Sequence, residues 1–476
     1  MKHLAAVTCM LACTGAYAGE SPLERAAERL GVARIQSLEF EAHGRYFQFT
    51  QAPAPDLPWP AFEVDNYVAT LDYERRAVHA KYHRVQVQEP QRARPLAEAT
   101  MDQYAVNGMS WNLTPAVTAM PTNLAERNAE LWASPQGFIK AALAQSATVS
   151  AQPDGAHVKF SIGEYHFEGV VNSAGEVTAV NSFIDSPVLG DTPISFRYGD
   201  YRKFGGVLFP ARIERQIAGW PWYALEVSAV RINGAAAFTV PAEVAANPAP
   251  SVAQVDVTEL APGIWNFGGG SHNSVIIEQR NGIVVVEAPH NEQRSEAVIA
   301  KIHANFPRRP ITRVINTHAH FDHAGGLRTY VADGVTVVTH ARNAGYYGRV
   351  WQQPHSLNPD RLSKAPRAPK FETFTTRLVL ADPERPIELH LIEGSGHNDA
   401  FAMVYLPRQK LLIEGDAWTP TPAGAKPPAV VNPLWLNLAD NIARLKLEVD
   451  RIQPLHGTVQ GIGDFRAALQ PAQANQ

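Results

Sequence analysis

Residues 317 to 326 read THAHFDHAGG, which places His318, His320, Asp322 and His323 within six positions and two glycines just behind them. An ordinary surface loop has little use for three imidazoles beside a carboxylate, whereas a divalent metal ion takes such N and O donors readily. The preceding run Ile311–Ile315 reads as a short buried strand, and Asn316-Thr317 leads out of it. Residues two apart in extended backbone project to the same side, so His318 and His320 can reach one ion. Asp322 and His323 come after the turn, where they can reach a second. Gly325 and Gly326 let the chain fold tightly behind the metals and begin a helix. A pair of metals about 3.5–4 Å apart needs a donor cluster of this density.

One loop cannot complete two coordination shells, so other strand ends must contribute. Gly394-Ser395-Gly396-His397 follows the apolar run Ile387–Ile392. Glu414-Gly415-Asp416 follows Lys410–Ile413, and Leu455-His456-Gly457 follows Ile452–Pro454. Each sets a lone His or Asp beside glycine where a strand stops. Singly these are weak signals; behind an HxHxDH loop they form a strong one.

The order HxHxDH, then His, then Asp, then His resembles the metallo-β-lactamase superfamily over roughly residues 255 to 465. The resemblance implies an α/β fold, the αββα sandwich, and gives each donor a place. His318, His320 and His397 would bind one metal, Asp322, His323 and His456 the other, and Asp416 would bridge them. The set suits two Zn²⁺ per chain, and iron or manganese could occupy it as well. Two such ions would lower the pKa of a bridging water from about 15.7 towards roughly 7. The hydroxide would attack an ester, lactone, thioester or amide-like bond in a small-molecule substrate. Asp322 is also expected to act in catalysis, by orienting the nucleophile or passing a proton to the leaving group.

Departures narrow the class. The metal-binding cysteine of one lactamase subclass has no counterpart, because both cysteines, Cys9 and Cys13, lie in the first twenty residues. A bridging Asp resembles lactonases, hydroxyacylglutathione hydrolases and phosphodiesterases of the superfamily. Persulfide dioxygenases share HxHxDH and use one iron, so a mononuclear iron oxidoreductase of sulfur compounds stands as the alternative. Glu287 occupies a strand end where the superfamily commonly has Asp, and is expected to accept a hydrogen bond behind the ligands. His272 and His290 sit on loops near the expected site mouth and are candidates to touch substrate. His340 reads as structural. Trp351, Trp418 and Trp435 read as core residues ahead of pocket linings, and Gly424 with Pro427-Pro428 suggests a loop over the cleft.

The elements that must position these donors are strand pairs and helix–strand units. Ser274–Glu278 and Ile283–Glu287 read as a hairpin. Ser295–Phe306 carries Val298, Ile299 and Ile302 at helical spacing, and a helix over Asn437–Asp450 runs into strand Ile452–Leu455. Upstream the texture differs. Segments such as Leu38–Phe49, Tyr67–Val87, Val158–Val171 and Ala224–Ile232 mix β-branched and aromatic residues with alternating charges, which predicts a large antiparallel sheet. His43, His79, His83, His157 and His166 are scattered there without ligand spacing. The stretch YGDYRKFGGVLFPARIERQ resembles the hairpins of periplasmic lipoprotein-type β domains that cradle apolar ligands. It supports a third reading, an apolar-ligand binding protein with an ancillary hydrolase.

A chain of 476 residues exceeds one typical domain. The expected division is a leader at 1–18, a β-rich domain at 19–240, the Pro/Ala-rich linker PAEVAANPAPSVAQ at 241–254 and the dimetal domain at 255–470. A formal net charge of -4 offers no basic surface for nucleic acid, which is excluded as a partner. Lys2, the apolar run from Leu4 and the tripeptide Ala16-Tyr17-Ala18 predict an exported protein, periplasmic or secreted. A lipid anchor at Cys13 is the second expectation. No later run approaches the roughly 20 apolar residues of a membrane span.

Overall fold

A computed structural model of the protein describes residues 21–234, 238–246, 253–421 and 430–470. The expected leader with Cys9 and Cys13, and the loop containing Gly424 and Pro427-Pro428, lie outside the described residues, as does part of the linker.

The N-terminal part forms a 13-stranded sheet, antiparallel throughout, as its alternating pattern predicts. Two meanders join where the first strand, Ser37–Phe47, pairs with the last, Trp220–Ile232. Alternation decides the faces: in Val177–Ser186 the buried and open positions take turns, so one side meets the core. Three helices of nine or ten residues lie against this sheet, and a one-turn helix, Ala242–Ala245, packs on it through Val244 where the sequence predicts an extended linker. Pro22–Leu30 starts with a capping box between Ser21 and Glu24 and stops at Gly31 in the left-handed region. Leu124–Ala133 and Pro135–Ala144 adjoin at Ser134, whose hydroxyl caps the second. The alternating pattern of the sequence does not predict this helical pair. Buried Arg215 holds the first of the two to the sheet, pairing with Glu130 while its guanidinium sits 3.6 Å over the Trp222 ring.

The C-terminal part is the αββα sandwich. Its seven-stranded sheet runs Asp256–Ala261, Ile264–Gly268, Ser274–Gln279, Gly282–Val286, Ile311–Ile315, Thr336–His340 and Lys370–Phe374. The last four pair in parallel, and the run GIVVV is buried throughout, as a strand covered on both faces must be. The six-stranded sheet runs Arg377–Leu380, Ile387–Leu391, Ala402–Leu406, Leu411–Glu414, Arg451–Pro454 and Gln460–Gly461. Val275, Ile277, Val284 and Ile315 of one sheet meet Leu389, Val404, Ile413 and Leu455 of the other, all fully buried. Helices Glu292–Asn305, Leu327–Ala332 and Ala341–Val350 cover the outer face of the first sheet, and Pro433–Arg444 covers the second.

That last helix differs from the expected Asn437–Asp450. Asn432 caps it and Pro433 opens it, while Lys446 enters the left-handed region and ends it, so Val449 packs from a loop. Trp351 packs among the helices of the first sheet, and Trp418 and Trp435 among those of the second. No helix among the described residues is long and apolar enough to cross a membrane.

The connection between the first two strands, residues 48–60, reaches out of the antiparallel sheet and onto the histidine loop. The carbonyl of Thr50 accepts from the backbone N–H of Phe321 at 3.4 Å, and that of Pro53 from Asp399 at 2.8 Å. Phe49 meets Phe321 edge-on. Arg92 grips Asp399 through two bonds of 2.6 and 3.1 Å, and Asp191 accepts from Ser356 and Leu357.

Candidate metal centre

The sandwich brings its donors to one edge because they stand at strand ends that share that edge. Glu287 follows Gly282–Val286, and the histidine loop follows Ile311–Ile315. His397, Asp416 and His456 follow Ile387–Leu391, Leu411–Glu414 and Arg451–Pro454. His320 is the residue before a one-turn helix, Phe321–Ala324, that carries Asp322 and His323.

All seven residues singled out in the sequence converge, in two groups. His318, His320, His397 and Asp416 form one, each offering a donor atom within 4.8 Å of the others. Asp322, His323 and His456 belong to the second, with the same spread, and His272 joins them. Asp416 stands between. Its Oδ1 lies 2.8 Å from His323 Nε2 and 3.1 Å from His456 Nε2, while its Oδ2 lies 3.1 Å from His397 Nε2.

The donor set fits metal ions on the protein's own geometry. His318 Nε2 faces His397 Nε2 at 3.2 Å, and His323 Nε2 faces His456 Nε2 at 3.1 Å. Ring nitrogens so close repel unless a proton or a cation lies between them. His320 Nδ1 and His272 Nε2 are buried without a hydrogen-bond partner, an expensive arrangement unless a ligand satisfies it. The groups are all N and O donors, suited to zinc, iron or manganese.

Electrostatics divides the histidines. Burial disfavours a charge on His318, as do His323 and His320, and its pKa falls well below the ordinary imidazole range. Burial, then His397, brings His320 down to about 3. Both are neutral at pH 7, the form that ligates a metal. His323 goes the other way: burial opposes its charge, but Asp416 and Glu287 outweigh burial and push its pKa well above the usual value. Burial also works against Asp416 and Asp322. His323 and His397 keep the first ionised, and the His272 ring and His323 keep the second so.

The supporting groups are specific. Glu287 is fully buried and accepts from Nδ1 of His323 at 3.0 Å, from Asn316 Nδ2 at 3.0 Å and from the Thr317 N–H at 3.2 Å. Thr317 Oγ1 donates to Oε2, the oxygen that also faces His323, while Asn316 and the Thr317 N–H share Oε1. Glu287 and His290 both hold positive φ, 75° and 64°, in the region where non-glycine residues are strained and where functional sites store strain. From the 48–60 connection, Gln51 Nε2 donates to Asp322 Oδ1 at 3.1 Å. His320 Nε2 donates to the Ala52 carbonyl at 3.0 Å, which also accepts from Asn398 at 3.1 Å.

Sequence reasoning placed His272 and His290 near the site without a role as ligands, and did not identify Gln51 or Ala52. His290 packs against His272, ring centroids 4.3 Å apart, outside both donor groups. His340 caps helix Ala341–Val350 and bonds the Thr375 carbonyl. The scattered histidines of the antiparallel sheet pair locally, His79 with Asp102 and His157 with Asp154, both at 2.9 Å.

The sequence model of the metallo-beta-lactamase superfamily matches residues 267–453. The 2,4-dinitroanisole O-demethylase subunit alpha of Nocardioides sp. (strain JS1661) is 23% identical over 154 residues, 32% of this chain and 43% of that protein. The chain therefore spans less than half the length of that relative. A metallo-beta-lactamase type 2 of Bacillus cereus is 22% identical over 217 residues, 43% of this chain and 77% of the relative. Among solved structures, a metallo-beta-lactamase from Pontibacter korlensis aligns over 47% of this chain and 100% of its own, at 22% identity and a TM-score of 0.36.

Proposed function

Because residues 267–453 form a domain of the metallo-beta-lactamase superfamily, we propose that the protein is an exported dimetal hydrolase, zinc-dependent, that cleaves an ester-, lactone-, thioester- or amide-like bond. The observation that carries this reading is Asp416, whose two carboxylate oxygens face different histidines of two donor groups. A carboxylate so placed is built to span two cations. When bound, such a pair supplies water of lowered pKa and a Lewis acid for the electrophilic carbonyl.

The chain's own residues do the rest. His318, His320, His397 and Asp416 hold one position, and Asp322, His323 and His456 the other. Glu287 and the Ala52 carbonyl fix which nitrogen of His323 and of His320 is left to ligate. Asp322 is the donor most open to the cleft, its side chain 34% exposed against 0% for His318 and His323. It is ionised, and it takes and passes the proton that the leaving group needs. Two separate donor groups favour two metals over the single iron of the oxidoreductase reading.

Elemental analysis of protein purified without added metal, beside a panel of lactams, lactones, thioesters, phosphodiesters and alkyl sulfates, tests this. Two zincs per chain and hydrolysis of at least one class are expected, and His318→Ala with Asp416→Ala should remove both. A single iron, or turnover retained in the metal-free double variant, overturns the reading. Export rests on the leader-like residues 1–18 and is tested by N-terminal sequencing of the periplasmic protein, expected to begin at Gly19.

A further inference from the structure

Resting on the dimetal reading above, we propose that His272 is a further metal ligand, completing the second position with Asp322, His323 and His456. Its Nε2 is buried, has no hydrogen-bond partner and lies 3.4 Å from Asp322 Oδ2. Its ring stands steeply inclined to those of His456 and His323, with centroids 4.0 and 4.9 Å away. One donor atom from each of the four residues falls within a 4.8 Å spread.

The surroundings are built to hold it. Nδ1 pairs with the Ser271 hydroxyl at 2.8 Å, which leaves Nε2 as the atom turned towards the donors. The hydroxyl can accept from Nδ1–H, and Nε2 then keeps its lone pair. The buried Arg294 guanidinium donates to the carbonyls of Phe267 and Gln254 at 2.9 and 2.6 Å, and reaches that of His272 at 3.4 Å. The next residue, Asn273, ties this segment to the loop of His456: its N–H donates to the Leu455 carbonyl, and its side chain to Pro454 and Gly457. His272 and His456 are therefore locked to each other through the main chain, the preorganisation a coordination site requires.

With His272 the second position offers three imidazoles and a carboxylate, the same donor types that His318, His320, His397 and Asp416 offer at the first.

The test is metal binding, not turnover. Wild type, His272→Ala, His272→Gln and a control, His290→Ala, are titrated with zinc against a chelator and loaded with cobalt for visible spectra. The wild type and the control should hold two ions. The His272 variants should keep one and bind the second more than about 100-fold more weakly, beyond the 10- to 100-fold typical of a group that only supports a ligand, with weaker cobalt bands. Two ions at wild-type affinity with an unchanged spectrum in the His272 variants overturn the proposal, whatever happens to activity. A wild type that binds no metal instead overturns the dimetal reading. Should the variants fail to fold, cobalt-loaded wild type decides: shifted imidazole resonances from six histidines support the assignment, and from five refute it.

Discussion

Nε2 of His320 donates to the carbonyl oxygen of Ala52 at 3.0 Å, across the junction between the antiparallel sheet and the metal-site loop. A carbonyl can only accept, so the proton is on Nε2, and Nδ1, buried and without a partner, is the atom left to ligate. The tautomer of a metal ligand is thus set by the other half of the molecule. Gln51, one residue earlier, holds Asp322 in the same way.

Loosening this contact should weaken metal binding without unfolding the chain. Gln51→Ala removes the bond to Asp322, and Asn398→Ala frees the Ala52 carbonyl from its second donor. Each is expected to reduce metal affinity by about 10- to 100-fold, read by competition with a chelator. Wild-type affinity in both would show that the antiparallel sheet is only a neighbour.

Glu287 leaves little room for substitution. Both of its oxygens accept from donors, among them His323 and Asn316. In Glu287→Gln one oxygen becomes an NH₂ that must face another donor, at a cost of about 1–3 kcal/mol. A lowered melting temperature in the metal-free protein and weaker metal uptake are expected together; an unchanged melting curve would contradict the network described here.

The pH dependence of metal uptake follows from His323. Its pKa is raised by Asp416 and Glu287 against the effect of burial, so the metal-free protein carries an imidazolium through neutral pH. A metal must displace that proton, and apparent affinity should climb with pH by about tenfold per unit until the proton is gone. For the metal-free fold the sign is opposite. The stability contributed by the charged ring is complete below the ordinary imidazole value of 6.5 and is lost as pH rises through the folded value. Zinc titrations at pH 6, 7 and 8 in buffers of different ionisation enthalpy measure the proton released, and a flat profile would count against it.

Gly325 tests the tight fold behind the donors. A Cβ there would lie 1.9 Å from the His290 carbonyl oxygen, which is backbone and cannot rotate away. Gly325→Ala should cost about 1–3 kcal/mol through forced displacement and shift the neighbouring His323, read as a lower melting temperature and a weaker second metal. A fully stable variant would mean that the loop has slack.

Much of this site was legible in the sequence because its side chains carry unusual chemistry at strand ends. His318, His320, Asp322, His323, His397, Asp416 and His456 are donors next to glycines after apolar runs, and the period-2 alternation of the N-terminal segments is a direct consequence of a sheet with one packed face. The strand pairs and helix–strand units predict a layered α/β domain with helices outside the sheets, and the αββα sandwich is what the family resemblance implies. Less accessible were the helices Leu124–Ala133 and Pro135–Ala144, whose buried residues include Arg127 and Gln136, paired inside the fold and so invisible to an apolar count.

What only the tertiary structure decided is how the halves meet. A main-chain carbonyl such as that of Ala52 has no residue type to betray it, and its partner lies 268 positions away. His272 is one histidine before an ordinary strand until the fold sets it against His456. Residue identity determines which atoms can bind a cation; the packing of distant segments determines which lone pairs face one another, and that second property belongs to no short stretch of the chain.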